Sequence, residues 1–165
     1  MNKPLFRFDA PGAVQGWQAV DDRVMGGVST SSLRHDAAGH AVFEGVVSLA
    51  FSGGFASVRS PAQDLGLAGA RDCVIEARGD SRRYKLNLFT GDGLDATAYQ
   101  AAFTPVAADW ALVRLPLAAF SAMFRGRVLP GARPLEVARL RQVGLVIGDR
   151  QAGPFRLDLR CISLE

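Results

Sequence analysis

From Phe155 to Cys161 every second side chain is apolar, with Phe155, Leu157, Leu159 and Cys161 alternating against Arg156, Asp158 and Arg160. A two-residue side-chain period puts these sets on opposite faces, which predicts a strand with one buried face and one wet one. Similar short runs occupy Ala41 to Ala50, Phe55 to Arg59, Cys73 to Arg78, Tyr84 to Phe89, Tyr99 to Thr104, Ala111 to Leu115 and Val143 to Ile147. With weaker stretches near Trp17 and from Ser29 to Leu33, the pattern predicts about ten strands. Gly26-Gly27, Gly53-Gly54, Gly79-Asp80 and Gly148-Asp149 supply turn chemistry between them, so strands adjacent in sequence can pair antiparallel. One short helix is expected, Pro134 to Leu140, opened by a proline suited to a first helical turn and capping one end. Phe120 to Pro134 reads as a loop crossing between sheets. Residues 1–165 therefore read as a single all-β domain, an antiparallel sandwich or barrel.

Composition supports a globular reading, since 165 residues at 48% hydrophobic and 21% charged can close one sizeable core. Charge is unevenly placed. Residues 1–110 hold ten Lys or Arg against twelve Asp or Glu, and residues 111–165 hold nine against four. Nearly all the cations are arginine, Lys3 and Lys85 being the only lysines, which favours compositional bias over a phosphate-reading patch and argues against nucleic acid as a partner. Arg114, Arg125, Arg127, Arg133, Arg139 and Arg141 keep open contact with acidic protein, RNA or, peripherally, the lipid headgroups of a membrane surface. No apolar run reaches the length of a membrane span and the N-terminal residues lack a signal-peptide core, so the expected location is cytoplasmic. Cys73 and Cys161 are expected as buried thiols.

Nucleotide-binding and hydrolase signatures are missing, and neither a catalytic residue, a metal site nor a cofactor is expected. His35 and His40 flank Asp36-Ala37-Ala38-Gly39 and read as parts of an exposed turn. Gly91-Asp92-Gly93-Leu94-Asp95 lacks the closing ligands of a calcium loop and reads as a plain turn. Asp21-Asp22-Arg23 reads as a structural ion pair at a loop mouth. Trp17 and Trp110, each at the start of an apolar strand, are expected as core rings. Arg59, Glu76, Arg78, Lys85, Asn87 and Gln100 fall on successive central strands; they read either as an ordinary solvated face or as one continuous polar face able to bind a saccharide.

Trp17, Asp21-Asp22-Arg23-Val24-Met25-Gly26-Gly27-Val28-Ser29, Phe43-Glu44-Gly45 and Gly53-Gly54-Phe55-Ala56-Ser57-Val58-Arg59 together resemble the complex I intermediate-associated protein 30 family. The resemblance continues through Gly79 to Tyr84, Tyr99-Gln100, Trp110, Phe124 to Arg127 and Gly148 to Phe155. It implies a jelly roll of the galactose-binding-like type and offers no catalytic residues. Eukaryotic members of that family are mitochondrial chaperones for assembly of the respiratory NADH:ubiquinone oxidoreductase, and some plant relatives carry a fused nucleotide-binding domain. This sequence shows neither a transit peptide nor such a fusion. The implied role is a non-enzymatic binding domain acting as an assembly factor for respiratory complex I or another protein complex, with a saccharide-binding module as the alternative. Two sets of binding residues follow: a loop end of Asp21, Asp22, Arg23, Met25 and Arg59, and the polar sheet positions Glu76, Arg78, Lys85, Asn87 and Gln100. The loop end can be a clasp, in which Arg23 and Arg59 tie to Asp21 or Asp22 and the double glycines let loops approach, or a contact surface for a partner.

Overall fold

Alternation along the chain becomes two facing antiparallel sheets. The computed structural model describes residues 2–22, 26–91, 97–124 and 126–165, with Ser52 by its backbone alone. The strands are β1 (Lys3–Arg7), β2 (Gln18–Ala19), β3 (Thr30–Asp36), β4 (His40–Val47), β5 (Ala56–Arg59), β6 (Asp72–Arg78), β7 (Tyr84–Phe89), β8 (Ala98–Phe103), β9 (Ala111–Pro116), β10 (Ser121–Phe124), β11 (Arg127–Val128), β12 (Gln142–Ile147) and β13 (Gly153–Leu164). The first sheet runs β3-β4-β13-β6-β9, with β1 pairing the C-terminal half of β13; the second runs β11-β10-β8-β7-β12-β5-β2. The jelly-roll sandwich expected from the sequence is the fold observed.

Inward side chains of both sheets make the core. Phe43 of β4, Ile75 of β6 and Phe155, Leu157, Leu159, Ile162 and Leu164 of β13 face Val58, Tyr84, Leu86, Leu88, Val143, Leu145 and Ile147 of the second sheet. Phe43, Tyr84 and Phe155 meet edge to face at centroid separations of 5.0 to 6.4 Å, a geometry that aromatic quadrupoles favour. The Tyr84 hydroxyl, carried into this core, donates to Asp80, and burial pushes its pKa upward. Trp17 closes one end of the core against Phe6 and Phe8.

Several expectations need correction. β13 alternates as predicted only to Leu159; its register against β6 shifts between Leu159 and Cys161, so Arg160 is an extra residue and Cys161 turns outward opposite Glu76, half-exposed. Asp158, expected in solvent, is buried because Arg78 and Arg156 donate to its carboxylate. No helix forms at Pro134 to Leu140 beyond a single 3-10 turn at Val137–Arg139. The backbone there is used laterally instead: Leu65 N donates to Leu140 O, Gln63 N to Arg141 O and Arg141 N to Phe89 O. The segment Phe120 to Pro134 is not a crossover loop, since β10 and β11 within it extend the second sheet. His40 is buried, because it opens β4 and packs edge-on against Trp110. Trp110 is no core ring; it lies between the guanidinium groups of Arg160 and Arg78, 4.0 and 4.8 Å from its centroid. Among the described residues no helix is long and apolar enough to cross a membrane.

Candidate functional site

Among the described residues the loop end closes around the Asp22 carboxylate. Asp22 has no solvent access, and its carboxylate accepts from Ser29 Oγ at 2.6 Å, Ser29 N at 3.0 Å, Gly54 N at 2.8 Å and Phe55 N at 3.4 Å. Burial alone would raise its pKa, but the Ser29 hydroxyl and the backbone N–H groups of Gly54, Ser29 and Phe55 outweigh burial and hold it below the ordinary carboxylate value. The glycines flanking this cage are required by space. A Cβ at Gly27 would stand 2.4 Å from Asp22 Cγ, and one at Gly53 would stand 2.5 Å from Asp22 Oδ2. Asp21 accepts from Ser31 Oγ at 2.6 Å and Ser57 N at 3.0 Å. Neither aspartate forms an ion pair with a described cation, Arg59 included, and their described partners are hydroxyl and backbone donors. Arg23 and Met25, and Asp92 and Asp95 of the Gly91 turn, lie outside the described residues.

The polar positions divide between opposite sides of the molecule. Arg59, Lys85, Asn87 and Gln100 share the outer face of the second sheet, whereas Glu76 and Arg78 are on β6 and face outward from the first. The continuous face expected across all six does not exist, since β6 and β7 follow one another in sequence but belong to different sheets. On the second sheet the cross-strand register lines up Arg59, Gly144, Asn87, Gln100 and Ser121 in one row. Gly144 leaves the floor of this row open. Across it the Arg59 guanidinium reaches the Phe89 ring, 3.9 Å from the centroid. A side chain at Gly144 would meet that ring, its Cβ being 3.3 Å from Phe89 Cε2.

Arg59, Asn87 and Gln100 of this row floor a cleft of about 580 Å³ whose walls come from the clasp residues Gly53, Gly54 and Phe55, from Val20 and Met123, and from the β12–β13 turn at Gly148, Asp149 and Arg150. Topology thus merges Arg59 of the loop-end set with Lys85, Asn87 and Gln100 of the sheet set. Asp149 is taken by two cations, Lys85 Nζ at 3.0 Å and Arg83 Nε at 3.6 Å. Gln100 Nε2 donates to Asn87 Oδ1 at 2.8 Å, leaving the Asn87 NH2 and the Gln100 carbonyl without a partner among the described residues. Arg59 is half-buried, and no described carboxylate pairs with it; burial lowers its pKa from the usual guanidinium value. The turn opposite is rigidly held. Asp149 and Arg150 both adopt left-handed backbone, φ 56° and 55°, and Gln151 donates to Arg83 O and Gly148 O. The alternation of the sequence could have pointed to Phe89, while Asp149 and Arg150 were visible only as a turn.

The family model for Complex I intermediate-associated protein 30 matches residues 6–159. The chain belongs to that family. Within it, the chain is 25% identical over 98% of its own length to the Drosophila melanogaster protein named Complex I intermediate-associated protein 30, mitochondrial, and spans 62% of that protein's length. It is 29% identical to an uncharacterized protein of Schizosaccharomyces pombe, over 90% of this chain and 77% of the other. Among solved structures, a family 11 carbohydrate-binding module of Clostridium thermocellum, in complex with a β-1,3-1,4-mixed-linked tetrasaccharide, superposes with a TM-score of 0.71 at 13% identity, over 99% of this chain and 94% of that one. This chain therefore shares the sandwich of such modules; at that identity the likeness concerns fold alone.

Proposed function

We propose that this member of the complex I intermediate-associated protein 30 family is a non-enzymatic binding domain that assists assembly of respiratory complex I, or of another protein complex, by holding a protein partner in the cleft over the second sheet. Family membership supports the assembly role, and the cytoplasmic location expected from the sequence belongs to the same reading. The observation that carries the choice of surface is the Arg59 guanidinium, paired with no described carboxylate, on the floor of a cleft whose walls are braced by the Asp22 clasp and the Gln151-held turn. The described ionisable residues of that cleft are Arg59, Lys85, Asp149 and Arg150, a set suited to binding and lacking a nucleophile with its base. Affinity capture of the tagged protein from its host is expected to enrich complex I subunits, and folded Arg59→Ala to lose them. Turnover of a small molecule by the purified protein, with no partner recovered, would refute the reading. A saccharide is the second reading, supported by the amide pair Asn87 and Gln100 beside two cations; a glycan array showing no signal above background removes it.

A further inference from the structure

The floor of the cleft specifies the chemistry of what it holds. An arginine that is half-buried and pairs with no described carboxylate keeps its charge at the expense of solvation, and an anionic partner relieves that. The charge balance of the cleft points the same way. Asp149 is shared by Lys85 and Arg83, so Arg59 and Arg150 face the cleft with no described counter-charge. The Phe89 ring, which could have stacked on a pyranose, is covered by the Arg59 guanidinium. Beside Arg59 stand an amide donor on Asn87 and a carbonyl acceptor on Gln100, each without a partner among the described residues, which match the acceptor and donor of a peptide unit. From Arg59 to Gln100, the outermost members of the row that line the cleft, the floor crosses three strand spacings, about 14 Å at about 4.8 Å each, the span of about four extended residues.

We propose that the cleft receives an acidic, extended segment of a partner protein lying across the strands, with one carboxylate forked by the Arg59 guanidinium and its backbone read by Asn87 and Gln100. This rests on the reading of the cleft as a protein-binding site. Arg59 supplies a planar pair of N–H donors that lysine cannot reproduce. Arg150, presented by the clamped turn, adds attraction at longer range.

The test is a nuclear magnetic resonance titration of the full chain with two capped peptides, one alternating valine and aspartate and the other alternating valine and asparagine. The acidic peptide is expected to shift Arg59, Asn87 and Gln100 and to bind about tenfold or more tightly than its amide counterpart. Arg59→Gln, shown folded by its melting curve, is expected to abolish that preference, Arg59→Lys to retain part of it, and Arg114→Gln on β9 to leave it unchanged. Raising the salt from about 0.05 to about 0.3 M is expected to weaken the wild-type interaction, a check that needs no variant. Equal affinity for both peptides, preference surviving Arg59→Gln, or shifts confined to other surfaces would overturn the proposal. Tighter binding of a neutral glucan tetrasaccharide at the same residues would overturn it in favour of a sugar ligand. Failure here alongside Arg59-dependent capture of complex I subunits leaves the assembly reading standing, whereas Arg59-dependent peptide binding with no captured protein removes the assembly reading alone.

Discussion

Replacing Asp22 by alanine is expected to cost this fold more than any exposed substitution. The change removes one carboxylate and strands the donors it serves: Ser29 N and Oγ, Gly54 N and Phe55 N, in a site without solvent access. A hydrogen bond to a charged group contributes about 1.5–3 kcal/mol, and because the four share one desolvated carboxylate their sum is reduced, to about 3–5 kcal/mol. For a domain of this size that corresponds to a fall in melting temperature of about 6–20 °C. Asp22→Asn keeps the shape but turns an NH2 toward a donor, with an expected loss of about 2 kcal/mol. The pH dependence separates this account from a simple cavity. The folded carboxyl titrates below its ordinary value of 3.8, so its stabilisation is complete above that value and is lost as pH falls through the folded pKa. Urea unfolding at pH 7 and across pH 5 to about 2.5 should therefore show a wild-type advantage over Asp22→Asn that is constant in the upper range and closes in the lower. A loss under about 1 kcal/mol for Asp22→Ala, or an advantage that does not change with pH, would refute the clasp as the source of this stability.

Other consequences are measurable on the same purified protein. His40, whose pKa burial lowers against the opposing pull of Asp158 and Asp36, binds its proton more readily in the unfolded chain, so stability should decline as pH falls below about 6.5 toward the folded value; His40→Phe should flatten that decline in pH-dependent urea melts. Arg150→Gly relieves a left-handed backbone at φ 55° and should raise stability by about 0.5–1 kcal/mol in thermal unfolding while weakening the acidic peptide. Cys73, buried and pushed up to about 12, should resist a disulfide reagent until urea is added, whereas half-exposed Cys161 should react slowly in the native state.

How much of this was legible in the chain depends on where period-two alternation meets a one-sided environment. β7 reads cleanly because Tyr84, Leu86 and Leu88 face a core while Lys85 and Asn87 face the cleft. β10 lies near an edge with neither face fully buried, so Ser121 to Phe124 carries no alternation and reads as loop. The proline at 134 suits a first helical turn, but pairing of residues 140 and 141 with residues 63 to 65 and with the end of β7 overrides a short helix of little intrinsic stability. Alternation also reports inward or outward without reporting which sheet. That is why Glu76 and Arg78 were grouped with Lys85 and Asn87, although the chain crosses from one sheet to the other between Arg78 and Tyr84. The double-glycine motifs pointed to close approach, and the structure shows what approaches: the Asp22 carboxylate, with no arginine among its described partners.

Clasp and cleft are mechanically one device, and this fixes how their variants should differ. Asp22 lines no part of the cleft, yet it holds the backbone N–H groups of Gly54 and Phe55, which do line it. Ser57, another lining residue, is held by Asp21 through its N–H and gives its hydroxyl proton to Val20 O. Loosening the clasp therefore lets one wall move relative to a floor that is fixed by sheet pairing, and binding should weaken together with stability. Arg59 has the opposite profile. Among the described residues its guanidinium meets the Phe89 ring face and the open cleft and no carboxylate, so neutralising it removes ligand attraction and also a half-buried charge with no described partner, leaving the fold as stable as before or more so. A variant pair in which Asp22→Asn lowers both stability and affinity while Arg59→Gln lowers affinity alone is what this coupling requires. If Asp22→Asn instead left peptide affinity intact at a temperature where it remains folded, the clasp would be a stability element with no part in shaping the binding wall.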